Sequence, residues 1–573
     1  MKTYIADFET RAGEEAIKEG LTYVWAWAIA DIEDFKNPKT GNTIDEFFAL
    51  LKKFETSDIY FHNLKFDGRF ILDYLLRRGY THVDRARAPG EFETLISEDG
   101  VFYSLAVCLK WRARITFKDS LKKLPFAVKK LAKDFKTEYQ KLELDYIEER
   151  PEHYEMDEEE EEYIKNDVRV VGECLLRLYE DGRTKMTASG DCMDDFKARF
   201  TSKFGNFRQY FPELEAREDE FVRKSYRGGW CYVDKPGYYE GEGSTYDVNS
   251  LYPSMMHSIS GNVYPYGPGI YYQGLYKLDD ECPLYVQHAY VWAVLKEGYL
   301  PTIQLKHSLE HRSNEWVKDT KGPQEVYLTS VDLEMLCKHY EILSFEPIDG
   351  YKYRAAKGFF DDYIDFWMSI KKTSKGAKRA LAKLMLNGLY GKFGQKVKGS
   401  NKIPVMKDSV VKFVTTEETD RKPVYIPIAA FVTSYSRRFT ITAAQKNYKN
   451  FIYADTDSIH CIGEVTGIDI DDCELCCWKH ESDWSAGKFV RQKTYAERMD
   501  MCGPGEFWDI KCAGMNEESK HELKLKINRH ELTIEDFDIG LKITGKKLRP
   551  KPVKGGIILV PTDFEIKENA FLY

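Results

Sequence analysis

Two aspartates separated by a single threonine, Asp455 and Asp457, form the first group of residues that could do chemistry. On a strand, alternate side chains share a face, so the two carboxylates would point the same way or flank a tight turn between strands. Like charges held that close repel each other unless a cation lies between them, and oxygen ligands favour Mg²⁺ or Mn²⁺ over zinc. Taken alone, the tripeptide is more typical of an Asx-rich surface turn. Asp247, after a strand-like segment, adds a third carboxylate, and the carbonyl of Val248 is a further candidate ligand.

A second set of carboxylates is spread over the N-terminal third of the chain. Asp7 and Glu9 share a strand face, Asp67 follows another strand, and Tyr163 and Asp167 share a helix face at i and i+4. Four carboxylates from three segments can hold two metal ions ~3.5–4 Å apart, one activating water and one steadying the leaving oxygen. Tyr163 could orient that water. The alternative is a set of unrelated surface acids.

A helical stretch near residue 385 carries polar residues on one side. Lys383, Asn387 and Tyr390 follow an i, i+4, i+7 spacing and form one stripe. Lysine can meet phosphates, tyrosine can stack on a base or sugar, and asparagine can hydrogen-bond. A break at 373–376 would fold the segment into a helical hairpin and bring Lys371 near Lys383. Alone, the stripe is better explained as the solvated face of an amphipathic helix.

Two shorter signals point to contacts with nucleic acid. Gly228 and Gly229, after Tyr226, would let a nucleic-acid backbone approach closely because they lack side chains. Lys493 could hold a primer phosphate while Tyr495 stacks on its sugar. Lysines at 118–136 and 542–554 are further candidate phosphate contacts, although each signal has an ordinary surface explanation.

Length and composition limit the possible number of domains and the possible classes of protein. The 573 residues exceed one typical domain, and the net charge of −9 does not by itself indicate a nucleic-acid binder. The charged N-terminus is unlike a signal peptide, and no apolar run approaches the ~20 residues of a membrane helix, so we expect an intracellular chain without a membrane segment. The twelve cysteines predict reduced thiols. The cluster at Cys473, Cys476 and Cys477 predicts a helix with buried thiols rather than a zinc site.

The pattern of apolar residues predicts alternating strands and helices over 1–187 and a different arrangement of elements from 188 onwards. Residues 395–426 read as a hairpin insertion, and 513–573 as a small strand-rich unit. The predicted strands are 4–6, 23–30, 59–61, 101–107 and 113–117, and the predicted helices are 66–76, 158–179, 359–394 with its break, and 426–448.

With these residues assembled, the chain resembles the family B DNA polymerases, most closely their protein-primed branch. Three segments resemble the exonuclease motifs of the family in order, and five resemble polymerase motifs, so the resemblance covers essentially the whole length. These segments are 7–10, 61–68 and 163–167, followed by 226–229, 247–253, 383–391, 453–457 and 493–495.

The resemblance implies a multidomain α/β (α+β) fold: an RNase H-like 3′–5′ exonuclease domain followed by a right-hand polymerase of palm, fingers and thumb with two family-specific insertions. The first insertion would contact a priming terminal protein, and the second would close a ring around DNA. The implied domains are 1–187 exonuclease, 188–260 and 427–512 palm, 261–358 first insertion, 359–394 fingers, 395–426 second insertion and 513–573 thumb.

The resemblance also implies an activity: DNA-directed DNA synthesis with 3′–5′ proofreading, replicating a linear phage genome from a terminal protein with strand displacement. Two Mg²⁺ ions, replaceable by Mn²⁺, would serve each active site. The implied partners are primer–template DNA, single-stranded DNA, dNTPs and the terminal protein, for a monomer in the cytoplasm of an infected bacterial host.

Residue roles carry over position by position. Asp247 and Asp457 would be the principal polymerase ligands, with Asp455 in support, and Tyr252 would stack under the incoming sugar. The exonuclease ligands would be Asp7, Glu9, Asp67 and Asp167, helped by Tyr163 and Lys141. The single-stranded 3′ end would be held by Thr10, His62, Asn63, Phe66, Ser120 and Leu121. Lys371 and Lys383 would grip the triphosphate, and Asn387, Tyr390 and Gly391 would shape the nascent base pair.

Four departures from the family pattern qualify this assignment. Gly388 replaces the usual serine, which puts fine nucleotide selection in question. Arg379 stands for a lysine, and Glu143, a possible metal ligand, stands for an aspartate. The acidic net charge predicts weaker and more salt-sensitive DNA binding outside the channel than in a basic relative.

Two rival functions fit parts of the sequence. One is a nuclease whose polymerase half has decayed, against which the intact Asp247, Asp455, Asp457 and Lys383 argue. The other is a non-catalytic DNA-binding scaffold, which seven candidate carboxylates make a poor fit.

Overall fold

The structure, a computed structural model, describes residues 1–145, 148–306, 308, 310–499 and 507–568. Its N-terminal part is a mixed sheet of strand order β3-β2-β1-β4-β8-β7-β6-β5, in which β1, β4 and β8 run parallel. The elements are β1 (Lys2–Thr10), α1 (Glu14–Glu19), β2 (Val24–Asp31), β3 (Lys39–Gly41), α2 (Ile44–Leu51), β4 (Ser57–Phe61), α3 (Leu64–Arg77), β5 (Thr81–His82), β6 (Glu91–Ile96), β7 (Phe102–Lys110), β8 (Ala113–Asp119), α4 (Val128–Phe135) and α5 (Glu158–Glu180).

Helix α5 begins where the acidic block predicts it. Asp157 accepts a hydrogen bond from the Glu160 backbone while the Glu160 side chain accepts one from the Asp157 backbone. This capping box, with acidic residues near the positive end of the helix dipole, stabilises the first turn. The long helix packs on β1 and β2 and brings its buried face to the end of β1.

The central part of the second half is a sheet of strand order β23-β22-β21-β10-β20-β19-β9, and beside it lies a sheet of order β11-β14-β12-β13. The elements before residue 360 are α6 (Ala188–Phe204), α7 (Phe207–Tyr210), α8 (Ala216–Ser225), β9 (Cys231–Val233), β10 (Gly237–Val248), α9 (Leu251–Met256), β11 (Tyr264–Gln273), β12 (Leu284–Leu295), β13 (Gln324–Thr329), α10 (Ser330–His339) and β14 (Tyr340–Ala356).

The remaining elements complete the central sheet and add three hairpin-like pairs, β15–β18, β16–β17 and β24–β25. They are α11 (Asp361–Thr373), α12 (Ala377–Phe393), β15 (Lys398–Gly399), β16 (Lys402–Lys407), β17 (Val410–Thr415), β18 (Thr419–Asp420), α13 (Ile426–Lys446), β19 (Phe451–Asp455), β20 (Ser458–Ile462), β21 (Trp478–Arg491), β22 (Thr494–Met499), β23 (Phe507–Cys512), α14 (Glu517–Asn528), β24 (Lys542–Val553) and β25 (Gly556–Glu565).

Most predicted elements are present, including the break between α11 and α12 and the hairpin β16–β17. The helix predicted at the cysteine cluster is wrong. Residues 471–477 form turns, and Cys473 is exposed, because the Asp471 side chain accepts hydrogen bonds from the backbones of Cys473 and Glu474. Across the described ranges, none of the helices combines the length and apolar character needed to cross a membrane.

Candidate active sites

The N-terminal carboxylates converge as their spacing predicts. Asp7 and Glu9 lie on β1, and Asp167 reaches them from α5. One carboxylate oxygen from each lies within 4.8 Å of the others. Asp67, on the first turn of α3, is 3% exposed and close enough to Asp7 for the two charges to affect each other.

The carboxylates of this cluster are costly to ionise together without a nearby positive charge, because they are withdrawn from water. Burial and the Asp167 carboxylate raise the pKa of Asp7 to about 7, and burial likewise raises the pKa of Glu9, Asp67 and Asp167. Asp167 Oδ1 is buried and has no hydrogen-bond partner in the described part of the chain. An all-oxygen cluster with a partnerless buried acceptor fits a hard divalent cation such as Mg²⁺ or Mn²⁺.

Lys141 and Tyr163 stand beside the cluster. The Lys141 ammonium donates to the Tyr163 hydroxyl over 2.7 Å and also pairs with Asp167 Oδ2. Tyr163 is 2% exposed and lies one helical turn before Asp167. Both residues predicted as helpers are therefore in contact with the carboxylates or with each other.

The predicted single-strand residues divide into surface and interior positions. Asn63 is exposed, while Thr10, Phe66 and Leu121 are half-buried. Ser120 is fully buried, and its hydroxyl donates to the Phe61 carbonyl over 3.1 Å. The role predicted for Ser120 in holding single-stranded DNA stays a prediction, and its enclosed side chain leaves only its backbone for such a contact.

Ser120 instead helps to orient His62. His62 Nδ1 lies 3.0 Å from the Ser120 hydroxyl, and Nε2 lies 2.8 Å from the Phe126 carbonyl. Sequence reasoning missed Asp119, which is 1% exposed and accepts backbone hydrogen bonds from Asn63, Leu64 and Leu121. The sequence feature that could have identified Asp119 is its position at the end of strand β8, which pairs with the end of β4 just before His62 and Asn63.

Glu143 is not part of the metal cluster. Its side chain is 95% exposed and lies 3.8 Å from the Lys129 ammonium, whose own side chain is 81% exposed. The possibility of a metal role for Glu143 is therefore corrected: its solvated carboxylate is not among those of Asp7, Glu9 and Asp167, whose oxygen atoms come together.

The second group of carboxylates lies on the central sheet. Asp455 ends β19, Thr456 adopts a left-handed φ of 66°, and Asp457 precedes β20, so the two carboxylates flank a tight turn. Asp247 on β10 pairs across the sheet with Ser458. The Val248 backbone N–H donates to the Asp457 carbonyl over 2.8 Å, which fixes the position of the end of β10 relative to this hairpin.

The three carboxylates differ in their charge environment. Burial and Asp457 raise the pKa of Asp247 to about 7, and burial raises the pKa of Asp457 to about 6. Asp455 Oδ1 instead pairs with the Lys493 ammonium at 2.7 Å. Asp247 and Asp457 therefore carry the uncompensated charge that a divalent cation would neutralise, while Asp455 is already neutralised by Lys493.

Lys493 and Tyr495 lie next to this hairpin. The Lys493 backbone N–H donates to the Tyr453 hydroxyl over 2.9 Å, and the rings of Tyr453 and Tyr495 lie 4.9 Å apart. Lys493 itself has a left-handed φ of 58°, which turns its side chain towards Asp455. Both candidate primer contacts are thereby positioned by the hairpin that carries Asp455 and Asp457.

The loop 226–229 touches the same hairpin. A Cβ on Gly229 would lie 2.6 Å from the Thr456 side chain, whereas a Cβ on Gly228 would meet open space. Gly229 is thus needed for contact with the hairpin, and the open space at Gly228 leaves room for the predicted approach of nucleic acid. Sequence reasoning missed the anchor: the buried Arg437 donates to the Gly228 carbonyl at 2.8 Å and to Asp332 at 2.7 Å.

The helical hairpin α11–α12 supplies cations and aromatic rings. Lys371 donates to the Ser250 hydroxyl over 2.8 Å, and burial, Lys383 and Arg379 lower the pKa of its ammonium. The rings of Tyr252 and Tyr390 are stacked with centroids 3.8 Å apart. These contacts join the cations and the ring of α11–α12 to Ser250 and Tyr252, which follow Asp247 directly in the chain.

The stripe on α12 faces outward as predicted. Lys383 and Asn387 are exposed, Tyr390 is half-buried, and Gly391 has open space where a Cβ would be. Gly388 lies on the side of α12 that packs against α6, because a Cβ there would lie 2.6 Å from Cys192 Sγ. The departure from the usual serine at 388 is therefore a matter of packing between two helices.

A buried polar network behind the hairpin was also missed. His460 Nδ1 lies 2.6 Å from Glu497 and 3.1 Å from the Thr245 hydroxyl, while Nε2 lies 3.3 Å from the Ser458 hydroxyl. His460 is 1% exposed and Glu497 is 5% exposed. The network links three strands next to the candidate polymerase site. Strand β10 carries Asp247, β20 begins directly after Asp457, and β22 begins directly after Lys493.

Comparison with known proteins agrees with this architecture. The family model for DNA polymerase type B, organellar and viral, matches residues 52–150 and 142–465. The DNA polymerase of Bacillus phage phi29 is 41% identical over 99% of this chain and 99% of its own length, and that of Streptococcus phage Cp-1 is 33% identical over 99% of each.

Solved structures extend the likeness to the fold. Phi29 DNA polymerase complexed with primer–template DNA and incoming nucleotide substrates has a TM-score of 0.91 at 40% identity, covering 99% of this chain and 100% of that chain. Phi29 DNA polymerase complexed with single-stranded DNA has a TM-score of 0.89 at 39% identity, with the same coverage. The N-terminal sheet is thus the exonuclease domain and the central sheet belongs to the polymerase domain. By these matches in sequence and fold, the chain belongs to the type B DNA polymerases of the organellar and viral family.

Proposed function

We propose that this polymerase copies DNA at Asp247 and Asp457 and removes mispaired 3′ ends at Asp7, Glu9, Asp67 and Asp167. The observation that supports two activities is the presence of two groups of wholly or partly buried carboxylates at two different sheets, in each of which burial raises the pKa of an aspartate. Both groups are all-oxygen sites, and we propose two Mg²⁺ ions, replaceable by Mn²⁺, for each.

For synthesis, Asp247 and Asp457 would hold the ions, with the Val248 carbonyl as an added ligand. Such ions lower the pKa of an attacking 3′-hydroxyl and neutralise the triphosphate. Asp455, paired with Lys493, would set the charge beside them. The cations of Lys371 and Lys383 suit the incoming phosphates.

Selection of the nucleotide falls to neighbouring groups. The stacked Tyr252 and Tyr390 offer a flat surface beneath the incoming sugar and base. Asn387 and Gly391 line the outward face of α12, where the nascent base pair would lie. Lys493, Tyr495 and the loop at Tyr226, Gly228 and Gly229 would contact the primer strand.

For proofreading, Tyr163 would orient the attacking water, because its hydroxyl is held by Lys141. Lys141 would also stabilise negative charge on the scissile phosphate, since its ammonium lies beside Asp167. The exposed Asn63 and the half-buried Thr10, Phe66 and Leu121 would hold a frayed 3′ end, together with His62, whose ring is orientated by Ser120.

The biological role follows from the relatives. Because the curated relatives at 33–41% identity are phage DNA polymerases, we propose replication of a linear phage genome in the cytoplasm of an infected bacterium by a monomeric enzyme. Initiation would use a terminal-protein hydroxyl contacted by residues 261–358. Residues 395–426 would close a ring around DNA with the thumb, which gives processivity and strand displacement.

Separation of the two activities tests the proposal. Asp457→Ala should abolish primer extension and leave digestion of a single-stranded oligonucleotide intact, whereas Asp7→Ala with Asp67→Ala should do the reverse. Glu143→Ala, an exposed carboxylate near the exonuclease site, is the matched control and should change neither. Loss of both activities in either variant would contradict separate sites.

Initiation needs its own experiment. Incubation with a cognate terminal protein and labelled dATP should give a covalent terminal protein–dAMP adduct, with release of pyrophosphate, and the reaction should require Mg²⁺ or Mn²⁺. Primer extension that proceeds while no adduct forms with any of the four dNTPs would refute protein priming. Mg²⁺-dependent primer extension by the same preparation also excludes a decayed polymerase and a non-catalytic scaffold.

A further inference from the structure

One ion pair on the exonuclease domain contacts two separate hairpins of the polymerase half. Arg77 on α3 binds Asp73 in a two-pronged manner, with Nε 2.6 Å from Oδ2 and Nη2 3.1 Å from Oδ1. The same Nη2 donates to the Ser409 carbonyl over 2.6 Å, at the turn between β16 and β17. Asp73 Oδ1 accepts the backbone N–H of Gly555, at the turn between β24 and β25, over 3.3 Å.

The thumb hairpin β24–β25 fits this place closely. Gly555 has a φ of +90°, and a Cβ on it would lie 1.9 Å from the Thr22 carbonyl. A Cβ on Gly556 would lie 2.6 Å from the ring of Phe70 on α3. The Thr22 N–H donates to the Lys554 carbonyl over 3.0 Å. The turn is therefore seated on the exonuclease domain by shape as well as by hydrogen bonds.

The insertion hairpin β16–β17 is seated beside it. Val411 is 1% exposed and belongs to the same apolar cluster as Phe70 and the thumb residue Ile557. The Arg69 guanidinium lies 4.4 Å from the centre of the Phe413 ring. Strand β17 also lies against β24, so the two hairpins touch each other as well as α3.

We propose that Asp73 and Arg77 are a shared latch that holds both hairpins on the exonuclease domain, so that the two hairpins are released together when either side chain is lost. The inference rests on the proposed role of these hairpins in encircling DNA. Asp73 is orientated by Arg77, and Arg77 is held in place by Asp73, so neither hairpin contact can persist unchanged without both residues.

The joint arrangement has a functional consequence. Single-nucleotide addition needs only the central sheet and α11–α12, which the latch does not touch. Long synthesis needs the enzyme to stay on DNA, which depends on the hairpins remaining seated. Asp73 and Arg77 are thus positioning residues for processive synthesis and strand displacement, placed on the helix that carries Asp67 at its other end.

The test compares Arg77→Ala, Asp73→Asn and the double variant with wild type in the full chain. Arg78→Ala is the matched control, because Arg78 neighbours Arg77 on the same helix but pairs with Asp45 of α2 within the exonuclease domain. Product length per binding event is measured on primed circular DNA with a heparin trap. Single-nucleotide insertion and digestion of a single-stranded oligonucleotide report that the polymerase site and α3 are intact.

We expect Arg77→Ala and Asp73→Asn each to shorten products about tenfold, the effect of losing one hydrogen-bonded charge pair on an equilibrium. The double variant should be no worse than the more severe single variant, because the residues act as one unit. Insertion of one nucleotide and exonuclease activity should stay within twofold of wild type.

Three outcomes would overturn the latch. These are products of wild-type length in Arg77→Ala and Asp73→Asn, equal shortening in Arg78→Ala, and additive losses in the double variant. A wild-type enzyme that is itself distributive would instead refute the proposed encircling role of the hairpins, so the two failures are distinguishable.

Discussion

Replacing Asp247 by asparagine should stabilise the protein in the absence of divalent cations. Burial and the neighbouring Asp457 raise the pKa of Asp247 to about 7. A shift of about three units above the ordinary value corresponds to at most ~4 kcal/mol. Asp247 is only partly buried, so we reduce this to ~2 kcal/mol for screening by solvent. Asparagine keeps the shape and removes the charge.

The sign follows from proton binding. The folded protein holds the Asp247 proton more tightly than the unfolded chain does, so the free energy of unfolding falls as the pH rises from about 4 to about 7. The stabilisation that comes from the tighter proton binding of Asp247 is fully present below the pKa of Asp247 in the unfolded chain. It is lost as the pH rises through the pKa of Asp247 in the folded protein. The advantage of Asp247→Asn should therefore be near zero at pH 4 and reach ~2 kcal/mol by pH 8.

Calorimetry measures this difference. Wild type and Asp247→Asn are unfolded with EDTA from pH 4 to pH 8, and again with excess Mg²⁺, which should favour wild type because it retains the carboxylate of the proposed ion site. Asp45→Asn, at an exposed carboxylate, controls for the loss of one charge. A variant less stable than wild type at pH 8 in EDTA, or a difference independent of pH, would refute the reasoning.

Three further predictions concern packing and positioning. Gly388→Ala should destabilise the protein by ~1–2 kcal/mol, since a new methyl 2.6 Å from Cys192 Sγ overpacks the contact and the gain in helix propensity offsets only part of this. Adding Cys192→Ala should restore most of the unfolding midpoint, because the methyl then lies 3.8 Å from the Cβ at 192; an unrelieved loss would show that the clash is not the cause. Gly229→Ala should lower primer extension at least tenfold and leave exonuclease activity unchanged, because its Cβ would push on Thr456 between the two aspartates; normal extension would contradict the close approach. Glu497→Gln should raise the Mg²⁺ concentration needed for half-maximal synthesis and not that for exonuclease digestion, and an equal rise in both would show that the His460 network does not act on the polymerase site.

The sequence predicted the residues whose spacing follows directly from a period. Asp7 and Glu9 share a strand face, and Tyr163 and Asp167 share a helix face, so their convergence needed only the order of elements. The α11–α12 hairpin was predictable for the same reason, from a helical pattern with a short break containing Gly376. These relations are local, and local geometry is what periodicity encodes.

Contacts between distant strands were not predictable in this way. Glu497 reads as a polar residue on an alternating strand, yet it is buried against His460 from another strand. Ser120 was named only through the resemblance, and the hydrogen bond of its buried hydroxyl to the Phe61 carbonyl at the end of β4 has no signal in the local sequence. Likewise, the approach of nucleic acid to Gly229 stays a prediction, while the close packing of Gly229 against Thr456 has no signal in the local sequence. Each outcome depends on which segments meet in the folded chain.

The seating of Val411 and Ile557 in an apolar cluster of the N-terminal sheet bears on how the molecule can be engineered. A fragment beginning at residue 188 would expose both side chains and leave the turns at Ser409 and Gly555 without their hydrogen-bonding partners. The proposed exonuclease activity therefore cannot be removed by trimming off the first domain without loosening the rest. Point substitution at the carboxylates is the route that keeps the scaffold whole, because the N-terminal domain serves as a structural foundation independently of its chemistry.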